Sequence, residues 1–180
     1  MDEQKDLEAV GRCLRGETNA FEELVLKYQK PVMNLAYRIV HDVEDARDVA
    51  QSVFVKAFSG LSSFDPRYKF FSWLYRIAVN ESINFSDKRR RRVDPVDIWG
   101  AATSDPAEEA VGAERRIRVE AALSRLASRE RALLALSADG LSYKDIGRTL
   151  GFTETKVKSK LFAARHKLRG ILLADGGLRP

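Results

Sequence analysis

The sequence predicts an all-α protein of two small helical domains joined by a flexible acidic linker. Three observations carry that prediction. Apolar residues recur at i, i+3, i+4 and i+7 along almost the whole chain, the spacing that lines one face of an α-helix. No segment alternates apolar and polar residues over the length of a strand. Between residues 93 and 114 the helical pattern stops: VDPVDIWGAATSDPAEEAVGAE holds two prolines, two glycines and six acids, with no Lys or Arg. That composition favours a tether over a packed element. The expected domains are therefore 1–92 and 115–175, with 93–114 between them.

Charge follows the same division. The 180 residues carry a formal net charge of +5, but unevenly. Residues 1–92 have 16 basic and 14 acidic side chains, whereas residues 115–180 have 15 and six. A C-terminal piece with net charge +9 is attracted to polyanions. No apolar stretch follows a basic N-terminus, and no apolar run approaches the ~18–20 residues needed to span a bilayer. A cytoplasmic protein with no membrane insertion is expected. Cys13 is the single cysteine and the two histidines, His41 and His166, are far apart in sequence. No disulfide, metal site or cofactor is expected, and Cys13 reads as an ordinary thiol on a helix.

Taken in order, the first periodic stripe is Phe21, Leu24, Val25, Tyr28, Val32, Leu35, Ala36 and Ile39. Asn19 and Glu22 are spaced to form a capping box at its start, and Pro31 should kink or split the helix. A second helix runs from Asp45 to Phe58 and ends at Gly60, with Val49, Val53 and Ala57 as its apolar stripe. Asp45, Asp48 and Gln51 gather beside that stripe at three-residue steps. An acidic patch so near basic residues repels DNA and suits a basic protein surface. Favourable interaction of the first carboxylates with the helix dipole explains them equally well. After the turn-forming Asp65-Pro66, Ser72 is placed to cap a third helix, SWLYRIAVNESINF.

Residues 64–85 hold seven of the chain's 16 aromatics, mixed with Arg67, Lys69 and Arg76 and followed by the run Lys88–Arg92. Cations that track a phosphate backbone, interleaved with rings that stack on bases, make a single-stranded nucleic-acid surface. Each such stack is worth about 1–3 kcal/mol. A base pulled from a duplex also needs polar groups around it, which Ser72, Asn80 and loop backbone can supply. The competing reading is that Phe64, Phe70, Trp73, Ile77 and Phe85 form the core, and in so small a domain several of them must.

In the C-terminal domain periodicity resumes at Ile117. Ser142 and Asp145 form a short capping box, Ile146 and Leu150 lie one turn apart, and Gly151 suits a helix end. Thr153 can cap the next helix. Two short helices separated by a tight glycine turn, the second one basic, form a helix-turn-helix pattern. On a helical wheel Val157, Leu161, Ala164 and Leu168 make the core stripe. Lys156 and Lys160 flank it, while Lys158, Ser159, Phe162, Arg165, His166 and Arg169 fill the remaining arc. An outward Phe162 among cations can meet a thymine methyl while Lys and Ser take phosphates and base edges. A solvated charged face is the bland alternative, and the capped preceding helix and the +9 domain favour DNA.

In that order, EDARDVAQSVFVKAF, FSWLYRIAVN and LSYKDIGRTLGFTETKVKSKLFAAR resemble the signature stretches of the bacterial extracytoplasmic-function (ECF) σ factors of RNA polymerase. The resemblance covers about residues 18–92 and 115–170, and it implies a σ2-like bundle and a σ4-like helix-turn-helix domain. By resemblance, Asp45, Asp48 and Gln51 dock on the clamp helices of the largest subunit of core RNA polymerase. The loop Phe64–Phe71 and the helix start, with Lys69, Phe70, Phe71, Ser72, Trp73, Arg76 and Asn80, would capture a flipped base of the −10 element and hold the melted strand. Lys156, Lys158, Ser159, Lys160, Phe162 and Arg165 would read duplex DNA at the −35 element. The linker would thread the polymerase channels, and an anti-σ factor is an expected partner.

Several residues depart from the family pattern. Asp145-Ile146-Gly147 stands where Glu-Ile-Ala is common, and Thr155-Lys156-Val157 where Gly-Thr-Val is. Lys160 and Ala163 occupy positions where Arg is usual, which bears on −35 sequence preference. Gly147 within a helix costs about 1 kcal/mol relative to Ala unless close packing requires it. No glycine-rich phosphate loop, metal-ligand spacing or nucleophile–base pair suggests an enzyme. The readings from other classes are a σ-like decoy for an anti-σ factor and a free-standing helix-turn-helix regulator. A decoy would be expected to lose the basic face this chain keeps, and a regulator leaves residues 64–92 idle.

Overall fold

The computed structural model describes residues 3–92 and 110–175, and every regular element among them is helical. The N-terminal bundle comprises α1 (Glu3–Leu14), α2 (Phe21–Val40), α3 (Val43–Ser59) and α4 (Phe70–Arg92). The C-terminal domain comprises α5 (Ala110–Ser124), α6 (Ser128–Ala138), α7 (Tyr143–Leu150) and α8 (Glu154–Ala174). α5 thus reaches back to Ala110, into the acidic segment and seven residues ahead of Ile117.

In the bundle, α2, α3 and α4 pack on one another and α1 lies across α2 and the start of α4. The predicted stripes are the buried ones: Leu24, Tyr28, Val32, Leu35, Ala36 and Ile39 from α2, and Val49, Val53 and Ala57 from α3. Pro31 does not split α2, which runs unbroken through it. The missing hydrogen bond costs about 3 kcal/mol. Each large side chain that a continuous α2 buries returns roughly 1.5–3 kcal/mol, and Phe21, Leu24, Tyr28, Leu35 and Ile39 are all buried. Packing wins.

Three helix starts differ from expectation. Asn19 does not cap α2; a 3-10 turn at Thr18–Ala20 leads into it, and no side chain caps Ala20. α3 begins two residues before Asp45, because the Asp42 carboxylate accepts the Asp45 N–H at 2.9 Å. Ser72 is not the cap of α4 but lies in its first turn, the helix having begun at Phe70. Phe70 is 1% exposed, and winding the helix from that point places its ring in the core.

In the C-terminal domain, α6 and α7 both pack against α8. Ser142 and Thr153 cap α7 and α8 by accepting the Asp145 and Lys156 N–H groups, and Gly151 takes the left-handed conformation (φ 69°) between them. Gly147 is required by contact: a Cβ there would meet the Phe152 carbonyl oxygen at 2.5 Å.

The two domains touch along a seam in which α6 packs on α2 and α4, and α7 on α4; the buried apolar side chains of both domains form one cluster there, with polar contacts beside it. Arg38 donates to both carboxylate oxygens of Asp139 at 2.6 and 2.8 Å. Ser128 donates to Asp87 at 2.7 Å, and His41 Nδ1 lies 2.9 Å from Glu120. Arg131, 6% exposed, donates to Ser86 Oγ and to the carbonyls of Ser124 and Leu126. Burial first, then the nearby charge of Arg90, lowers its guanidinium to about 10, against the opposing pull of Asp87.

Candidate nucleic-acid and polymerase-docking faces

α8 is held by Val157, Leu161 and Ala164 on its buried side, which leaves the basic residues outside. Lys158, Ser159 and Phe162 face solvent, and Phe162 is 73% exposed, far more than a chance core residue would be. The ring of His166 stacks on it at a centroid distance of 6.3 Å. His166 sits one turn beyond Phe162, a spacing visible in the sequence, although the pairing of the two rings was not evident there.

Lys156, Lys160 and Arg165 turn towards α6 and the turn that precedes α8. The Lys156 and Lys160 ammonium groups lie 5.2 and 5.3 Å from the Phe152 ring centroid. With Arg129, Glu130, Leu133 and Ala163 they line an open cavity of about 310 Å³. Arg165 donates to Ser137 on α6 at 2.9 Å. The six candidates therefore share one helix but not one face. Glu130, which no sequence pattern singled out, accepts from Lys167 and from the Ala127 N–H, both at 2.8 Å. Burial alone would raise its carboxyl, but those two donors outweigh it and hold the group below the usual glutamate range.

Around the start of α4 the aromatics divide. Phe64 and Phe70, at 7% and 1% exposure, belong to the core and present no free face for a base. Of the two readings the sequence left open for these rings, capture of a base and the core, their burial favours the core. They pack on each other at 5.6 Å and on Trp73 at 5.5 and 5.6 Å. Phe71, Ser72 and Trp73 are half-buried, while Lys69, Arg76 and Asn80 are exposed. Helical spacing puts Lys69, Ser72, Trp73, Arg76 and Asn80 along one side. The loop is braced by Asp65, which accepts the Arg67 N–H at 3.0 Å and its guanidinium at 2.6–3.0 Å. That pairing holds the Asp65 carboxyl below its usual range. Exposed Tyr68 lies under the Arg148 guanidinium of α7, 5.8 Å from the ring centroid.

On α3, Asp48 and Gln51 are exposed, and exposed Val55 and Phe58 continue the same side one and two turns on. Asp45 does not stand with them. Its carboxylate pairs with Arg89 of α4, which also lies 3.6 Å from Asp42. That contact joins residues 44 positions apart, so spacing within α3 gave no sign of it. Among the described residues no cluster of His, Cys, Asp and Glu could hold a metal, and no helix is long and apolar enough to cross a membrane.

Known protein families match the two halves of the chain separately. Residues 24–92 match Sigma-70 region 2, and residues 116–168 match Sigma-70 region 4. The RNA polymerase sigma-H factor of Pseudomonas aeruginosa is 34% identical over 93% of this chain and 94% of its own. The ECF RNA polymerase sigma-E factor of Escherichia coli K12 is also 34% identical, over 93% and 95%. A solved structure of the sigma factor RpoE in complex with the anti-sigma factor NepR, from Bartonella quintana, superposes with a TM-score of 0.70. It is 25% identical, with 87% of this chain and 99% of that one covered. The chain belongs to the ECF σ factors of the Sigma-70 family, and its function is in the initiation of transcription by RNA polymerase.

Proposed function

We propose that the three exposed faces divide promoter recognition among themselves. Asp48 and Gln51 of α3, extended by Val55 and Phe58, dock on the clamp helices of the largest polymerase subunit. Asp45 braces α3 against Arg89 and supports that face from behind. The loop over 64–71 and the adjoining side of α4 hold the melted −10 strand, with Lys69 and Arg76 on the backbone and Phe71, Ser72, Trp73 and Asn80 around the flipped base. Phe64 and Phe70 are the floor on which that surface rests. Lys158, Ser159 and Phe162 enter the major groove at the −35 element, with Lys156, Lys160 and Arg165 on the flanking phosphates. The chain supplies no catalytic group of its own, and bond formation stays with the polymerase.

The observation that carries this reading is Phe162, exposed at the crest of a capped and basic second helix of a helix-turn-helix. An anti-σ partner is supported by the similar factor solved with one. Run-off transcription with core polymerase on a randomised promoter library tests the whole. Specific start sites are expected, and a chain that gives none on any template is not acting as proposed. Lys158→Ala should weaken −35 duplex binding and lower the salt slope by about 0.9 for each phosphate that the lysine neutralises. An unchanged slope means that Lys158 touches no phosphate. Asp48→Arg should abolish association with core polymerase while −35 duplex binding persists.

A further inference from the structure

α1 precedes the stretch matched to region 2, which begins at residue 24, and no role above uses it. Yet it carries Asp6, which at 4% exposure is the one buried acid among the described residues. A carboxylate removed from water needs partners, and both come from α2. The Tyr28 hydroxyl donates to Asp6 Oδ2 at 2.5 Å, and the Lys27 ammonium pairs with Oδ1. Burial, reinforced by the bond to Asp6 and its charge, pushes the Tyr28 hydroxyl far up, so it remains a donor at any working pH. The Tyr28 ring lies 5.8 Å from Phe70 and 6.0 Å from Phe71, and Phe71 packs at a tilt on Tyr75 at 4.0 Å. Glu3, one turn before Asp6, pairs with Lys69 at 3.1 Å. α1 therefore reaches the capture loop twice, directly at Lys69 and through Tyr28 at Phe70 and Phe71.

We propose that α1 is a positioning element for the melted-strand surface, in which buried Asp6 acts through Tyr28 to fix Phe70 and Phe71. The proposal rests on the capture role assigned above to the loop. Well-packed apolar side chains often replace a buried ion pair with no loss of stability. A charge-assisted hydrogen bond adds direction, and direction is what orients a ring.

The test uses holoenzyme and a fluorescent promoter fragment, recovered from the randomised library and mispaired across its −10 region. Tyr28→Phe keeps the ring and removes the donor, while Asp6→Leu removes the acceptor. Each should weaken binding of the mispaired fragment about ten-fold, the scale of one hydrogen bond to a charged group. Association with core polymerase and binding of −35 duplex by the chain should not change. Asp6→Asn, which keeps a carbonyl acceptor, should recover most of the loss. Wild-type binding by the first two variants overturns the proposal. So does an equal loss of all three activities, which would mark a general loss of fold. Asn80→Ala separates the layers. If it weakens strand binding and the α1 variants do not, only the positioning role falls; if it has no effect, the capture reading falls and the proposal with it.

Discussion

Gly147 shows how one absent methyl group sets the geometry of the helix-turn-helix. Helix propensity alone predicts that Gly147→Ala would stabilise α7 by about 1 kcal/mol. The added Cβ would instead sit 2.5 Å from the Phe152 carbonyl oxygen, a backbone atom that cannot swing aside as a side chain could. The same residues are tied by the Phe152 N–H donating to the Gly147 carbonyl at 2.8 Å. The substitution should destabilise the C-terminal domain by about 1–3 kcal/mol, as overpacking does. Thermal unfolding of the variant decides the sign. At this scale the sequence was readable where chemistry is local. Ser142 and Thr153 cap residues three positions on, and the wheel of α8 placed Phe162 outside. It left two readings open for Phe64 and Phe70, and it was unreadable where a side chain depends on a distant partner, as for Asp45.

At the scale of the element, α6 depends on one carboxylate. Glu130 satisfies the Ala127 N–H at the start of the helix and pairs with Lys167 of α8. Its folded value lies below the ordinary 4.5, so the folded state holds the charged form more tightly than the unfolded chain does. The resulting stability is present above the unfolded value and is lost as pH falls through the folded one. Glu130→Gln should therefore cost about 0.5–1 kcal/mol near neutrality. Melting temperatures of variant and parent should converge below the glutamate range. Thr153→Ala should cost about 1 kcal/mol by uncapping α8, and it should weaken −35 binding because the frayed turn carries Lys156. Titration with −35 duplex measures it. Element types and most apolar faces were legible because period 3.6 dominates the chain. Helix starts were less so: Phe70 opens α4 for the sake of core packing, and Pro31 survives in α2 for the same reason.

For the whole molecule the decisive feature is the seam between the domains. It combines apolar packing, in which Leu133, Leu136 and Ile146 join the same buried cluster as the bundle core, with side-chain hydrogen bonds and ion pairs, and Arg131 is buried within it. Arg131 ties Ser86 of α4 to the carbonyls of Ser124 and Leu126, and truncating it to alanine leaves those buried acceptors without their donor, so the substitution should loosen the coupling of the two bodies. Calorimetry should show one transition for the parent and two for Arg131→Ala. A single transition in both would mean that the domains stay coupled without Arg131. Nothing in the sequence announced this arrangement. Arg38 and Asp139 are 101 residues apart, and each taken alone is an ordinary surface charge.

α4 runs without interruption from Phe70 beside the capture loop to Arg89 against α3 and on to Arg92. At 1.5 Å per residue its 23 residues span about 34 Å. On the proposed reading it is a rigid ruler, with one end braced against the docking helix α3 and the other at the capture loop. The gap between the docking helix and the first unpaired base would then be a fixed length cut into the protein. Any change in that helix's rotation or rise would move the nucleotide at which RNA synthesis begins.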